Sequence, residues 1–189
     1  MKPPEMWILA GPNGAGKTTL AQTHYSDLAG RGDFLNADEI ARNFSPSFPD
    51  KEAIAAGRKL ISRRNEAIRE RRSFVIETTL ATRSLLRVVE TAKNAGYNTG
   101  LIYLWVADPE LCIQRVASRV ADGGHHIPSE VIIRRYWRGN ALLPSYLSAV
   151  HTAQISSTNE TPQMIAKKGR QGLKIFRPDD WQALSFGFP

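Results

Sequence analysis

Cysteine is nearly absent from this 189-residue chain. Cys112 stands alone, so no intrachain disulfide can form. Between Leu111 and Ile113 it reads as a packed helix residue rather than a nucleophile. Long apolar runs are missing too. The stretch Met6–Ala10 is too short for a signal peptide or a bilayer span, and a glycine loop cuts it off. The expectation is therefore a cytoplasmic protein with no membrane partner. Acidic residues are in short supply: 18 Asp and Glu face 25 Lys and Arg, a net charge of +7. The basic residues gather at Arg63–Arg72, Arg115–Arg138 and Lys167–Arg177. No aromatics interleave with the first cluster, as a single-strand-binding surface would require, so nucleic acid is not the expected partner. No repeat or low-complexity segment occurs. His125 and His126 are adjacent, without the i,i+4 spacing or cysteine partners of a zinc site.

What is present is ordinary globular composition, 42% hydrophobic and 23% charged, in a length that suits one domain over residues 1–189. Elements alternate. Strands are expected at residues 6–10, 34–37, 73–76 and 100–106, the last (GLIYLWV) as a central strand buried on both faces. Helices are expected at 17–28, 51–72, 83–95 and 110–120, and from about 128 to Leu143, where Pro144 should stop the chain's winding. The apolar positions of the second helix are Ala53, Ile54, Leu60, Ile61 and Ile68. Short strands are expected at 153–156 and 173–176, with a basic turn at 167–172, completing a C-terminal part over about 150–189. This alternation predicts the α/β class: a parallel sheet flanked by helices, binding ligands at the carboxyl ends of its strands.

The first such end reads GPNGAGKT, a match to G-x-x-x-x-G-K-[ST]. Gly11, Pro12, Asn13, Gly14, Ala15, Gly16, Lys17, Thr18 and Thr19 are the candidate nucleotide-binding residues. Glycines let successive backbone N–H groups turn toward phosphate oxygens, and the following helix aims its positive end at the same anion. Lys17 suits the β and γ phosphates of ATP or GTP, and the Thr18 hydroxyl suits Mg²⁺. Phosphate transfer to a hydroxyl also needs a carboxylate near the γ-phosphate. Asp38, in NADEIAR with Arg42, follows the second strand and is the candidate base; it also fits a helix N-cap. Glu77, Thr78 and Thr79 end the third strand and offer a carboxylate, hydroxyls and backbone donors to an acceptor. Arg115 and Arg119 share one helix face, and Arg134 and Arg138 share another with Arg135 beside them. The flexible loop DGGHHIP between them makes residues 115–138 a candidate lid that closes arginines over the transferring phosphate.

The order of these features resembles the zeta toxin family of P-loop kinases, in its short chromosomal form. The resemblance rests on GPNGAGKTT (11–19), NADEIAR (36–42), ETT (77–79) and RVASRVADGGHHIPSEVIIRRYWR (115–138), and spans most of residues 6–140. It implies an adenylate-kinase-like fold and phosphorylation of the 3′-hydroxyl of UDP-N-acetylglucosamine with ATP or GTP. It implies Asp38 as general base, Lys17 and Thr18 on triphosphate and magnesium, and Glu77 and Thr79 on the acceptor. Arg115 or Arg119 would be the first lid arginine. The family toxins carry an arginine shortly after Glu-x-Thr; this chain has Leu80-Ala81, with Arg83 as the candidate replacement. An antitoxin protein is the partner the resemblance brings with it. Two other readings stay open: a kinase of a nucleotide, polynucleotide end or antibiotic, and a nucleotide-dependent switch. The switch would need a metal-binding aspartate such as Asp108, which also fits a helix N-cap.

Overall fold

The computed structural model describes residues 2–23, 32–37, 39–40, 53–124 and 126–186. Its elements are β1 (Glu5–Ala10), α1 (Lys17–Thr23), β2 (Asp33–Leu35), α2 (Ala53–Arg69), β3 (Phe74–Thr78), α3 (Ser84–Asn94) and β4 (Asn98–Trp105). They continue as α4 (Pro109–Ala121), α5 (Ser129–Ala149), β5 (Thr152–Ser157), β6 (Gln163–Gly169), β7 (Gly172–Ile175) and α6 (Pro178–Phe186). The strands form one mixed sheet in the order β2-β3-β1-β4-β5-β6-β7. The first five are parallel, and β6 and β7 add antiparallel to β5 and to each other.

Strand alternation sorts the core into two faces. Met6, Ile8, Phe74, Ile76 and Leu101 lie on one, packed with Ala67 of α2, Val88 of α3 and Tyr146 of α5. Leu9 and Val75 point the other way and bury Ala21 of α1. Leu104 and Val106 join them on that side, against Cys112 and Val116 of α4. Local signals fix the helix ends. Asp108 Oδ1 accepts from the Glu110 amide at 2.8 Å, with Pro109 opening α4. After α3, Gly96 adopts φ +80°, and the amides of Gly96 and Tyr97 close back on Lys93 and Ala92.

Several expectations give way. Pro144 does not stop α5, which runs to Ala149. The missing amide costs about 3 kcal/mol, offset by burial of Leu143 and Tyr146 on either side. The α5 carboxyl end is then closed by Lys168 and Lys93, whose ammoniums bond the carbonyls of Leu147, Val150 and Ala149. Ile54 and Ile61 of α2 face outward; the helix packs inward through Ala56, Leu60, Ala67 and Ile68. The strand expected at 73–76 extends through Thr78. The basic stretch from Lys167 begins inside β6, so the turn is shorter, from Gly169 to Gly172. Neither β6 nor α6 was expected, because one mixes polar and apolar residues without strict alternation and the other has no apolar stripe. No helix among the described residues is long and apolar enough to cross a membrane.

Candidate active site at the carboxyl ends of the central strands

β1 lies between β3 and β4, and the chain leaves it at Ala10 into the glycine loop. Two glycines let the loop sit where it does. Gly11 has φ +148°, and a Cβ there would fall 2.3 Å from the Leu104 carbonyl oxygen of β4. Gly14 has φ +79°, and a Cβ would fall 2.6 Å from the Cys112 carbonyl oxygen of α4. Any side chain at either place would push the loop off the sheet end. Pro12 and Ala15 are buried, whereas Gly16, Thr18 and Thr19 are exposed.

Lys17 is only 7% exposed. Its ammonium donates to the carbonyls of Gly11 and Pro12, each at 2.9 Å. A buried cation needs such charge-assisted bonds, and here they hold the charge inside the curve of the loop. Cys112 behind the loop is buried, and burial pushes its thiol up to about 11, so it is no nucleophile.

The loop is braced from α4 and from the end of β5. The Arg115 guanidinium donates to the carbonyls of Thr158 at 2.8 Å, Asn159 at 2.7 Å and Gly14 at 3.4 Å. The Thr158 hydroxyl donates to the Ala15 carbonyl at 3.1 Å and lies 3.2 Å from that of Trp105. Arg115, expected in the lid, is thus held behind the loop by three backbone oxygens, in the manner of a strut. Arg119 is exposed and Gly124 packs against its stem. Arg135 of α5 is the arginine that reaches the loop from the front, donating to Asn13 Oδ1 at 3.4 Å. Its neighbours Arg134 and Arg138 are exposed. The i,i+4 spacing favoured those two; the buried stripe Ile132–Tyr136–Gly139, at whose edge Arg135 sits half-buried, was the better signal.

β3 places its end beside the loop, with Glu77 paired in register to Leu9 and Thr78 to Ala10. Asn36, at the end of β2, is buried and donates from Nδ2 to Glu77 Oε2 at 2.7 Å. Its Oδ1 accepts from the Glu39 amide at 3.2 Å. Asn36 thus orients the carboxylate, a role its place in NADEIAR did not disclose. Thr78 Oγ1 accepts from the Leu80 amide at 3.1 Å, and Leu80 takes φ +61°. A left-handed leucine costs about 1–3 kcal/mol and persists only where the surroundings fix it. Here α5 does so. The Thr79 carbonyl presses on Gly139, where a Cβ would lie 2.7 Å away, and the Tyr146 hydroxyl donates to the Thr82 carbonyl at 2.6 Å. Arg83 is exposed and turns to a groove between α2 and α3. Asp38, Arg42 and His125 lie outside the described residues.

Among the described residues no group of three or more His, Cys, Asp or Glu could hold a metal ion. An exposed Thr18 hydroxyl and a half-buried Glu77 carboxylate are nonetheless the sparse donor set that suits magnesium carried with a phosphate chain. Asp108 caps α4, as described above.

A family model described as an AAA domain matches residues 6–135. An uncharacterized protein of Haemophilus influenzae is 30% identical over 139 residues, 70% of this chain and 97% of that protein. Among solved structures, the AvrRxo1-ORF1:-ORF2 complex with ATP superposes with a TM-score of 0.75 at 14% identity, covering 96% of this chain. The present chain spans 63% of the length of that one. The PezAT chromosomal toxin-antitoxin system of Streptococcus pneumoniae superposes with a TM-score of 0.67 at 19% identity, covering 100% of this chain and 81% of that one. At these identities the likeness is one of fold: a mixed sheet flanked by helices, with a phosphate loop after its first strand.

Proposed function

The chain belongs to the AAA domain family, and from that premise we propose that it is a phosphotransferase. The γ-phosphate of ATP or GTP passes to a hydroxyl of a small molecule. The observation that carries this reading is the Lys17 ammonium, buried in a glycine loop at the end of the central strand with the Glu77 carboxylate on the neighbouring strand. A cation held by the carbonyls of a glycine loop, with a carboxylate at the end of the adjacent strand, suits transfer from a polyphosphate to a polar acceptor. That one fold-mate was crystallised with ATP accords with it.

In this reading residues 11–18 cradle the triphosphate and Lys17 neutralises charge on its β and γ oxygens. Thr18 would hold Mg²⁺, which supplies charge neutralisation between those phosphates when bound. Arg135 approaches from α5 and, with Arg119, completes the charge set on the γ-phosphoryl. Glu77 and Thr79 hold the acceptor hydroxyl, with Glu77 fixed by Asn36. The acceptor oxygen attacks the γ-phosphorus, the bond to the bridging oxygen breaks, and the diphosphate leaves. The hydroxyl proton passes to Asp38. The acceptor that the zeta-toxin resemblance favours is the 3′-hydroxyl of UDP-N-acetylglucosamine. An antitoxin would be the corresponding protein partner, and a toxin-antitoxin fold-mate is in keeping with that.

Incubation with γ-labelled ATP and UDP-N-acetylglucosamine tests the full reading. Label on the sugar nucleotide supports it. Label on another metabolite in a cell extract keeps the kinase and replaces the acceptor. Label released only as inorganic phosphate rejects the kinase.

A further inference from the structure

Two isoleucines of α2 are out of place for a helix packed on a core: Ile54 is 74% exposed and Ile61 48%. Both lie on one outward stripe with Arg58 and Asn65, at i, i+4, i+7 and i+11, and one turn further on the same side comes Ile68, which packs on the core. Single exposed apolar residues need no explanation, but this stripe borders a groove of about 580 Å³ between α2 and α3. Ile61, Ile68 and Val88 supply its apolar lining, and Arg64, Arg83 and Arg87 its charge. Among the described residues no carboxylate lines it. The described ion pairs join Lys2, Arg69, Arg72 and Arg177 to acids and include none of the groove's arginines. The Arg64 guanidinium bonds the Asn65 side-chain oxygen, has no carboxylate partner among the described residues, and burial lowers its pKa.

Aliphatic floor and arginine walls are the composition of an interface centre. The lining of α2 runs from Ile61 to Ile68, about 10 Å or two helical turns. That length matches the anchors of a helix laid in a groove, spaced i, i+3 or i+4, and i+7. Three arginines without a carboxylate partner among the described residues call for carboxylates flanking those anchors. Nucleic acid would satisfy the charge and leave the isoleucines uncovered. We infer that the groove between α2 and α3 is a docking site for an acidic amphipathic helix of a partner protein. α2 and α3 lie on the sheet face opposite α1, the helix that carries Lys17 and Thr18. Occupation of the groove therefore does not compete with nucleotide, and the inference does not depend on phosphotransfer.

The test uses the full chain and a fluorescent synthetic helix of about 14 residues, long enough to span the groove. Its leucines sit at i, i+3, i+4 and i+7, with Glu on either side. A scrambled peptide of the same composition and an oligonucleotide of the same charge serve as comparisons. The striped peptide should bind at least about tenfold more tightly than the scrambled one, and Ile61→Asp and the double variant Arg64→Glu/Arg87→Glu should each weaken it about tenfold. Both variants should keep the parent's ATP affinity and melting temperature. A striped peptide with Lys in place of Glu should prefer the double variant. Equal binding of the scrambled peptide overturns the inference. So does oligonucleotide binding that is lost with the arginines but indifferent to Ile61→Asp. Failure of the striped peptide to bind, or sedimentation showing that this face joins two copies of the chain, also overturns it.

Discussion

Arg115 is held by three backbone carbonyls, whereas Arg135 reaches a single side-chain oxygen of the phosphate loop. The two arginines should therefore fail differently. Arg115→Met strands the Thr158 and Asn159 carbonyls, and should lower stability by about 2 kcal/mol while loosening nucleotide binding. Arg135→Met should leave the melting temperature alone and lower kcat about a hundredfold, as loss of one preorganised charge does. Thermal melts and steady-state kinetics on both variants check this; a stable, catalytically dead Arg115→Met would restore it to the lid. Lys17→Ala should abolish measurable triphosphate binding by calorimetry. These residue roles were unequally legible. Gly11, Lys17 and Thr18 are fixed by spacing along one loop. Arg115, Arg135 and Asn36 take their roles from strands and helices distant in sequence, and nothing in the local pattern tells a strut from a finger.

At the scale of elements, α5 does more than its sequence announced. It passes Pro144, touches the phosphate loop through Arg135 near one end, and supports the Thr79–Leu80 turn through Gly139. A glycine inside a helix ordinarily gains about 0.5–1 kcal/mol on change to alanine. Gly139→Ala should instead destabilise by about 1–2 kcal/mol, because the new Cβ meets the Thr79 carbonyl. It should also reduce kcat by shifting the end of β3. A stabilised, fully active variant would show that α5 does not hold that turn. The far end of α5 adds a pH dependence. The Thr99 amide donates to His151 Nδ1 at 3.0 Å, and burial, then Lys93 and Lys168, lower the His151 pKa. Below its ordinary value of 6.5 the unfolded chain takes up a proton that the folded chain refuses. Stability from this site is thus present above about pH 6.5 and declines as pH falls toward the folded pKa. Denaturant melts should show that decline, and His151→Asn should remove it. Proline and glycine signals gave the ends of α3 and α4 correctly but misjudged α5, since tertiary burial of Leu143 and Tyr146 outweighs the local penalty.

Across the whole molecule, the alternation of apolar strands and amphipathic helices was legible from the first strand to the fifth. The strand expected at 173–176 is β7, whereas β6 was not legible, because it mixes polar and apolar residues and lacks the continuous apolar run that marks a central strand. The candidate residues described above gather at the carboxyl ends of β1, β2 and β3. Its central claim is that a polyphosphate held on residues 11–18 gives its terminal phosphoryl to an organic hydroxyl. The most direct measurement is the fate of label from γ-labelled ATP in a metabolite extract, with the parent chain and Lys17→Ala side by side. The account predicts label on an organic acceptor with the parent and none with the variant. Label appearing solely as inorganic phosphate, or transfer unchanged in Lys17→Ala, would contradict it.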